Sequence, residues 1–155
     1  MLKKCVMCFA VAAVLVSAAG CGSSKPASTA ADEKSLERET SITISCAGDC
    51  TLGTDAAFSG GTFTDEVQNQ NGDYGYFLRN VKKYFENDDL TIVNFEGTLT
   101  DRGTRRDKTF AFRGKPEYTK ILTDASVEAV TLANNHSSDY GDVSMEDTKK
   151  YLDEA

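Results

Sequence analysis

Apolar residues along the chain gather into three short runs, and each run breaks off into a polar cluster. Ile42-Thr43-Ile44-Ser45-Cys46-Ala47 alternates and ends in Gly48-Asp49. Leu90-Thr91-Ile92-Val93 passes into Asn94-Phe95-Glu96-Gly97. Residues 127–133 pass into Asn134-Asn135-His136-Ser137-Ser138-Asp139. Short apolar runs bounded by turn residues predict strands, here over 41–47, 90–95 and 127–133. Between them the apolar spacing changes to three and four, the period of a helix. Phe77, Val81, Tyr84 and Phe85 predict a core-facing stripe on a helix over 76–87. Pro116 suits the first turn of a second helix, with Tyr118, Ile121 and Leu122 on its apolar face. Ser144 predicts the cap of a third, with Glu146 and Asp147 in its first turn and Met145, Thr148 and Leu152 along its apolar side. Residues 110–114 read as a short edge strand. Residues 54–73 are polar and Gly-rich, a long connection that either lines a site or moves.

Strand, helix, strand, helix, strand, helix predicts an α/β fold with a parallel sheet covered by helices. In such a sheet the carboxyl ends of the strands lie along one edge, where ligands bind. Three polar endings far apart in sequence can therefore meet. The alternative for the third cluster is a simple helix cap, since Asn and Ser favour turns and helix starts. Recurrence of the pattern in all three runs favours the converging site. No Gly-rich phosphate loop and no Gly-x-Ser-x-Gly elbow is present.

The start of the chain has a different character. Lys3 and Lys4 precede an apolar stretch over 6–16, then Ser17-Ala18-Ala19-Gly20-Cys21. The stretch is short for a membrane span and reads as a secretory signal over 1–20. Small residues directly before Cys21 resemble a bacterial lipoprotein signal, with Cys21 as the acylated residue. An ordinary signal cut after an alanine is the alternative. Residues 21–40 are rich in Ser, Ala, Thr, Lys and Glu and predict a flexible linker. The protein is then expected outside the cytoplasm, anchored to the cell membrane through Cys21. The formal net charge of −7 argues against nucleic acid as a partner and against adhesion to anionic headgroups, so any anchor would be the lipid. Of the five cysteines, Cys5 and Cys8 lie in the signal. Cys46 and Cys50 are too far apart on an extended run for a disulfide, and the parity of Cys46 with Ile42 and Ile44 predicts a buried free thiol. The basic run Arg102, Arg105, Arg106 and Lys108 reads as a solvated loop, with an anion contact as the alternative.

Four motifs, Ala47-Gly48-Asp49-Cys50-Thr51-Leu52-Gly53, Asn94-Phe95-Glu96-Gly97-Thr98-Leu99-Thr100, Phe112-Arg113-Gly114-Lys115-Pro116-Glu117-Tyr118 and Leu132-Ala133-Asn134-Asn135-His136-Ser137-Ser138-Asp139-Tyr140-Gly141, occur in this order. Together they resemble the bacterial capsule-synthesis family of the CapA type, over residues 41–155. The resemblance implies a layered metallophosphatase-like fold of the calcineurin-like phosphoesterase kind, and a link to poly-gamma-glutamate capsule biosynthesis or export. It implies a divalent metal (Mn, Mg, Fe or Zn) held by Asp49, Glu96 and Asn135, with His136 as the catalytic proton donor. Asn94, Asn134 and Arg113 are candidate substrate contacts. Thr51 stands where the phosphoesterase relatives carry a histidine, and His136 is the only histidine in the chain. The later His-Trp-Gly-like motif of the family is missing, so the chain is expected to be a truncated, N-terminal part of the domain and inactive alone. Three functions are consistent with these features: an envelope metallohydrolase acting on a phosphoester or a polymer amide, a non-catalytic partner of a capsule polymer synthase and its export subunits, and a lipoprotein that binds an anionic ligand.

Overall fold

A computed structural model of the protein describes residues 39–155. The signal over 1–20, the linker up to residue 38, and Cys5, Cys8 and Cys21 lie outside the described residues. Among the described residues no helix is long and apolar enough to cross a membrane.

The three predicted strands form one parallel sheet. Strand β1 (Ile44–Cys50) pairs with β3 (Leu90–Phe95), and β3 pairs with β6 (Ala129–Thr131), so β3 is central. The order puts the carboxyl ends of all three strands at one edge, as parallel connections through helices require. Val93 and Phe95 point from β3 into the core, where they meet Leu99, Tyr118, Ile121 and Leu122. Leu90 and Ile92 alternate to the other face and stay half-exposed. Ile44 and Cys46 belong to that face and are exposed. This corrects the expectation of a buried thiol: parity placed Cys46 with Ile44 correctly, but helices cover only the opposite face. Cys46 and Cys50 are both free.

A second, mixed sheet has the order β2 (Thr54–Asp55), β5 (Phe112–Gly114), β4 (Thr98–Leu99), antiparallel on one side of β5 and parallel on the other. The expected edge strand is thus central. Its partners are two-residue strands, too short to give a periodic signal. Gly114 is required there, because a β-carbon would fall on the Leu52 carbonyl oxygen.

The 54–73 connection is partly ordered by α1 (Phe63–Asn69). Thr62 caps it in a capping box: its hydroxyl accepts from the Asp65 amide at 3.1 Å while the Asp65 carboxylate accepts from the Thr62 amide at 2.9 Å. The expected helix over 76–87 is a 3-10 turn at Tyr74–Tyr76 followed by α2 (Arg79–Phe85). Phe77 packs on the core, but Val81 and Tyr84 are exposed, so the stripe is only half used. Helix α3 (Thr119–Thr123) follows the predicted turn at Pro116.

The final helix, α4 (Asp142–Glu154), is capped by Gly141 rather than Ser144. Its buried residues are Ser144, Asp147 and Thr148, while Met145 is 47% exposed. Of the expected side only Met145 turns out to solvent: Thr148 is buried and Leu152 packs against the core, joined by the polar Ser144 and Asp147. The reason lies in the neighbouring segment: the Thr148 hydroxyl accepts from the Leu99 amide at 2.8 Å, and Asp147 accepts from the Thr100 hydroxyl at 2.6 Å. A two-residue strand has too few sheet partners, and the helix supplies them.

The basic run is a loop, with Arg102 and Arg106 exposed as expected, but its cations are paired. Arg102 binds Asp147, Arg105 grips Asp55 through two nitrogens at 2.8 and 2.7 Å, Arg106 reaches Asp142 at 2.7 Å and Lys108 reaches Asp139 at 2.6 Å. The run is a strap, each cation meeting its own carboxylate.

Candidate functional site

The site grows from the carboxyl ends of β1, β3 and β6. Pairing between β1 and β3 shifts register between Ala47 and Asp49, so Ala47 faces Val93 and Asp49 faces Asn94. Gly48 is the extra residue of this bulge, which re-aims the next side chain. Asn94 then donates to the Asp49 carboxylate at 2.7 Å. On its other side the Asn94 carbonyl oxygen accepts from the Thr131 hydroxyl and the Asn134 amide group, each at 3.0 Å. Asn94 thus ties all three strand ends together.

Past β3 the chain turns at Gly97, whose φ of 122° suits glycine and whose missing side chain leaves room for the Phe112 β-carbon. The turn leaves Glu96 half-buried and facing His136, with Nε2 3.4 Å from its carboxylate. Past β6, Asn134 accepts from the His136 amide at 2.9 Å and donates to the Phe95 carbonyl at 2.8 Å. Ser137 donates to the Leu132 and Asn134 carbonyls. This local net folds the segment inward and buries His136.

His136 is held on its second nitrogen by Asp139, at 2.8 Å from Nδ1. A carboxylate can only accept, so Nδ1 carries a proton and donates it. Asp139 is 1% exposed, and it also accepts from the Phe112 amide and from Lys108, each at 2.6 Å. Lys108 donates in addition to the Asn135 carbonyl at 2.8 Å. The Phe112 ring packs on the imidazole with 4.6 Å between centroids.

The two carboxylates nearest the strand ends interact directly. Hydrogen bonding from Asn94, and next from Glu96, holds Asp49 below the ordinary aspartate range. Burial, and next the Asp49 carboxylate, push Glu96 upward. The pair is thus split, Asp49 held toward its charged form and Glu96 toward its neutral form. Two carboxylates, one amide and one imidazole form a donor set whose chemistry fits a divalent cation. Among the described residues no three His, Cys, Asp or Glu side chains are spaced as a cage for an ion.

The structure thus brings together Asp49, Asn94, Glu96, Asn134 and His136. Asn135 lies next to them with an exposed side chain. Arg113 is engaged elsewhere: its guanidinium lies 3.6 Å from the Tyr140 ring centroid and donates to the Arg102 and Gly103 carbonyls at 2.8 and 3.0 Å. Sequence reasoning missed Asp139 and Lys108. Asp139 had a signal, three residues after His136 and within reach of one turn. Lys108 had none, since it arrives from a segment 28 residues away.

Comparison with known proteins agrees with the motifs. The family model described as bacterial capsule synthesis protein PGA_cap matches residues 43–155. The capsule biosynthesis protein CapA of Bacillus anthracis is 34% identical over 99 residues, covering 61% of this chain and 24% of that protein. The PGA biosynthesis protein CapA of Bacillus subtilis (strain 168) is 31% identical over 90 residues, covering 57% of this chain and 23% of that protein. The matched part therefore spans about a quarter of the length of these relatives.

Proposed function

The chain belongs to the bacterial capsule synthesis protein family, whose fold is the α/β metallophosphatase-like one, and from that premise we propose that it serves capsule polymer biosynthesis or export at the outer surface of the cell membrane through a metal-assisted acid–base site. The observation that carries this reading is the meeting of Asp49, Asn94, Glu96 and His136 at the ends of three parallel strands. Asp49 and Glu96 would hold the ion, with the Asn135 amide completing its oxygen ligands. A divalent ion there would activate water and offset charge on a phosphoester or polymer amide. His136 moves a proton at Nε2, because Asp139 fixes the hydrogen on Nδ1. Asn94 and Asn134 orient the strand ends, Asn134 using both its amide hydrogens on Asn94 and the Phe95 carbonyl, so that Asn94 is the one with an amide hydrogen left for an anionic substrate. Cys21 carries the lipid that keeps the site at the membrane, and a polymer synthase with its export subunits would be the partners.

A second reading is favoured by the lack, among the described residues, of three side chains spaced as a cage: a non-catalytic subunit that binds an anionic ligand or assists assembly. One experiment separates the two. Bound Mn and Zn are measured in the full chain and in Asp49→Ala and Glu96→Ala, alongside hydrolysis of a simple aryl phosphoester. Stoichiometric metal and turnover in the parent, both lost in the folded variants, support the first reading. Metal content unchanged by either substitution refutes the ligand assignment, and metal without turnover leaves the non-catalytic subunit. Lipidation has its own test, acyl-chain labelling of the parent and Cys21→Ser in cells. Label confined to the parent is expected, and equal labelling of both would sink the anchor.

A further inference from the structure

Beside the acid–base site lies an open cleft of about 520 Å³, formed where the 57–62 loop stands away from β5. Its volume falls within the ~300–1,000 Å³ typical of small-molecule sites. Phe58 and Phe112 line it, and Phe110 joins them at the rim: the Phe58 and Phe110 rings meet edge to face at 6.2 Å, and Phe110 and Phe112 lie parallel at 6.4 Å. Phe58 is 52% exposed and Phe110 49%, although both are large apolar residues. Phe112 in turn packs on His136 at 4.6 Å. An aromatic surface therefore runs from solvent to the imidazole.

The chemistry of the lining selects the ligand. Thr54, Ser59 and Thr62 are among its lining residues, and the Thr54 and Thr62 hydroxyls accept from the Phe63 and Asp65 amides at 3.0 and 3.1 Å. No lysine or arginine lines it, and its one carboxylate, Asp55, is saturated by Arg105 and by the Ala57 and Ala111 amides. An anion would find no cation there. A lipid chain would leave the Ser59 hydroxyl and the O–H donors of Thr54 and Thr62 without acceptors. A flat neutral ring with apolar faces and a hydroxylated edge satisfies both halves of the lining. We propose that this cleft is a subsite for a neutral sugar ring, which it presents next to His136. The inference deepens the function proposed above and rests on it for the role of the bound sugar. Binding itself depends only on the cleft.

The test titrates cellotetraose, chitotetraose and a poly-gamma-glutamate oligomer into the full chain by calorimetry. The two sugars separate a plain glucan from an N-acetylated one. Saturable binding of at least one sugar is expected, weakened roughly tenfold by Phe58→Ala and by Phe110→Leu, since each removes one ring face. Both positions are half-exposed, so the variants keep the core. Asp49→Ala and Glu96→Ala should bind sugar like the parent, whatever their metal content. Loss of metal with sugar binding intact would then speak only against the acid–base site. Absence of sugar binding, equal binding by Phe58→Ala, full binding by Phe110→Leu, or stronger binding of poly-gamma-glutamate lost in Phe58→Ala would each overturn the subsite.

Discussion

At Asp139 one buried carboxylate answers three donors: the His136 imidazole, the Phe112 amide and the Lys108 ammonium. Each of those groups belongs to a different part of the chain, so a single side chain sets the ring orientation, anchors β5 and tethers the strap. Asp139→Asn keeps the shape but replaces one acceptor oxygen with a donor. Either Lys108 or the pair formed by Phe112 and His136 then faces the wrong group, at a cost of ~1–3 kcal/mol for the unsatisfied partner. The expected outcome is a fall in the Nδ1-protonated form of His136. Ring nitrogen chemical shifts report it without assignment work, because the chain has one histidine. An unchanged tautomer would show that Asp139 does not position the ring.

Helix α4 shows how an element can pack through polar groups. Ser144, Asp147 and Thr148 lie three and four residues apart, the spacing of a buried helical stripe. Hydrogen bonds to Leu99 and Thr100 satisfy Thr148 and Asp147, and the Ser144 hydroxyl donates to the Gly141 carbonyl at 2.6 Å. Thr148→Val conserves the volume and removes the acceptor of the Leu99 amide, a buried backbone donor. Chemical denaturation should show a loss of ~1–3 kcal/mol. Met145→Ala on the exposed side should change stability by less than about 0.5 kcal/mol. The reverse ranking would mean that the helix packs through Met145 rather than through Thr148. The same element-scale logic explains the bulge at Gly48: without the register shift, Asp49 would not sit opposite Asn94.

Across the whole molecule the strap from Arg102 to Lys108 connects β2, the His136 turn and α4 by ion pairs. Arg105 holds the Asp55 carboxyl far below the ordinary range, and Arg102 lowers Asp147. A carboxylate depressed by folding stabilises the protein above its unfolded pKa of ~3.9 and loses that contribution as pH falls through the folded value. Stability should therefore decline progressively below about pH 4. Asp55→Asn and Asp147→Asn should be less stable near neutrality and show a shallower acid decline, read from denaturation midpoints across pH. Asp55→Ala, which leaves Arg105 and two backbone amides without their acceptor, should cost ~3–5 kcal/mol. A parallel acid decline in parent and variants would remove these two residues from the acid transition.

The sequence by itself determined the three parallel strands, a helical segment before each of the second and third strands and one after the third, and the residues at the strand ends, because periodicity and abrupt polarity changes are local properties; α1 lay inside what read as a connection. It also placed Asp49, Asn94, Glu96, Asn134 and His136 at the carboxyl edge, since parallel topology leaves those ends little choice. Tertiary structure alone decided which sheet face is covered, and so that Cys46 is exposed and Val81 and Tyr84 are left half-used. It decided that the basic run is a paired strap and that Ser144 and Asp147 join the packed side of α4, because a charge or a hydroxyl is satisfied only by the partners that the fold brings to it. Asp139 and Lys108 entered the site in the same way: their roles lie in which groups they meet, and no local pattern records a meeting.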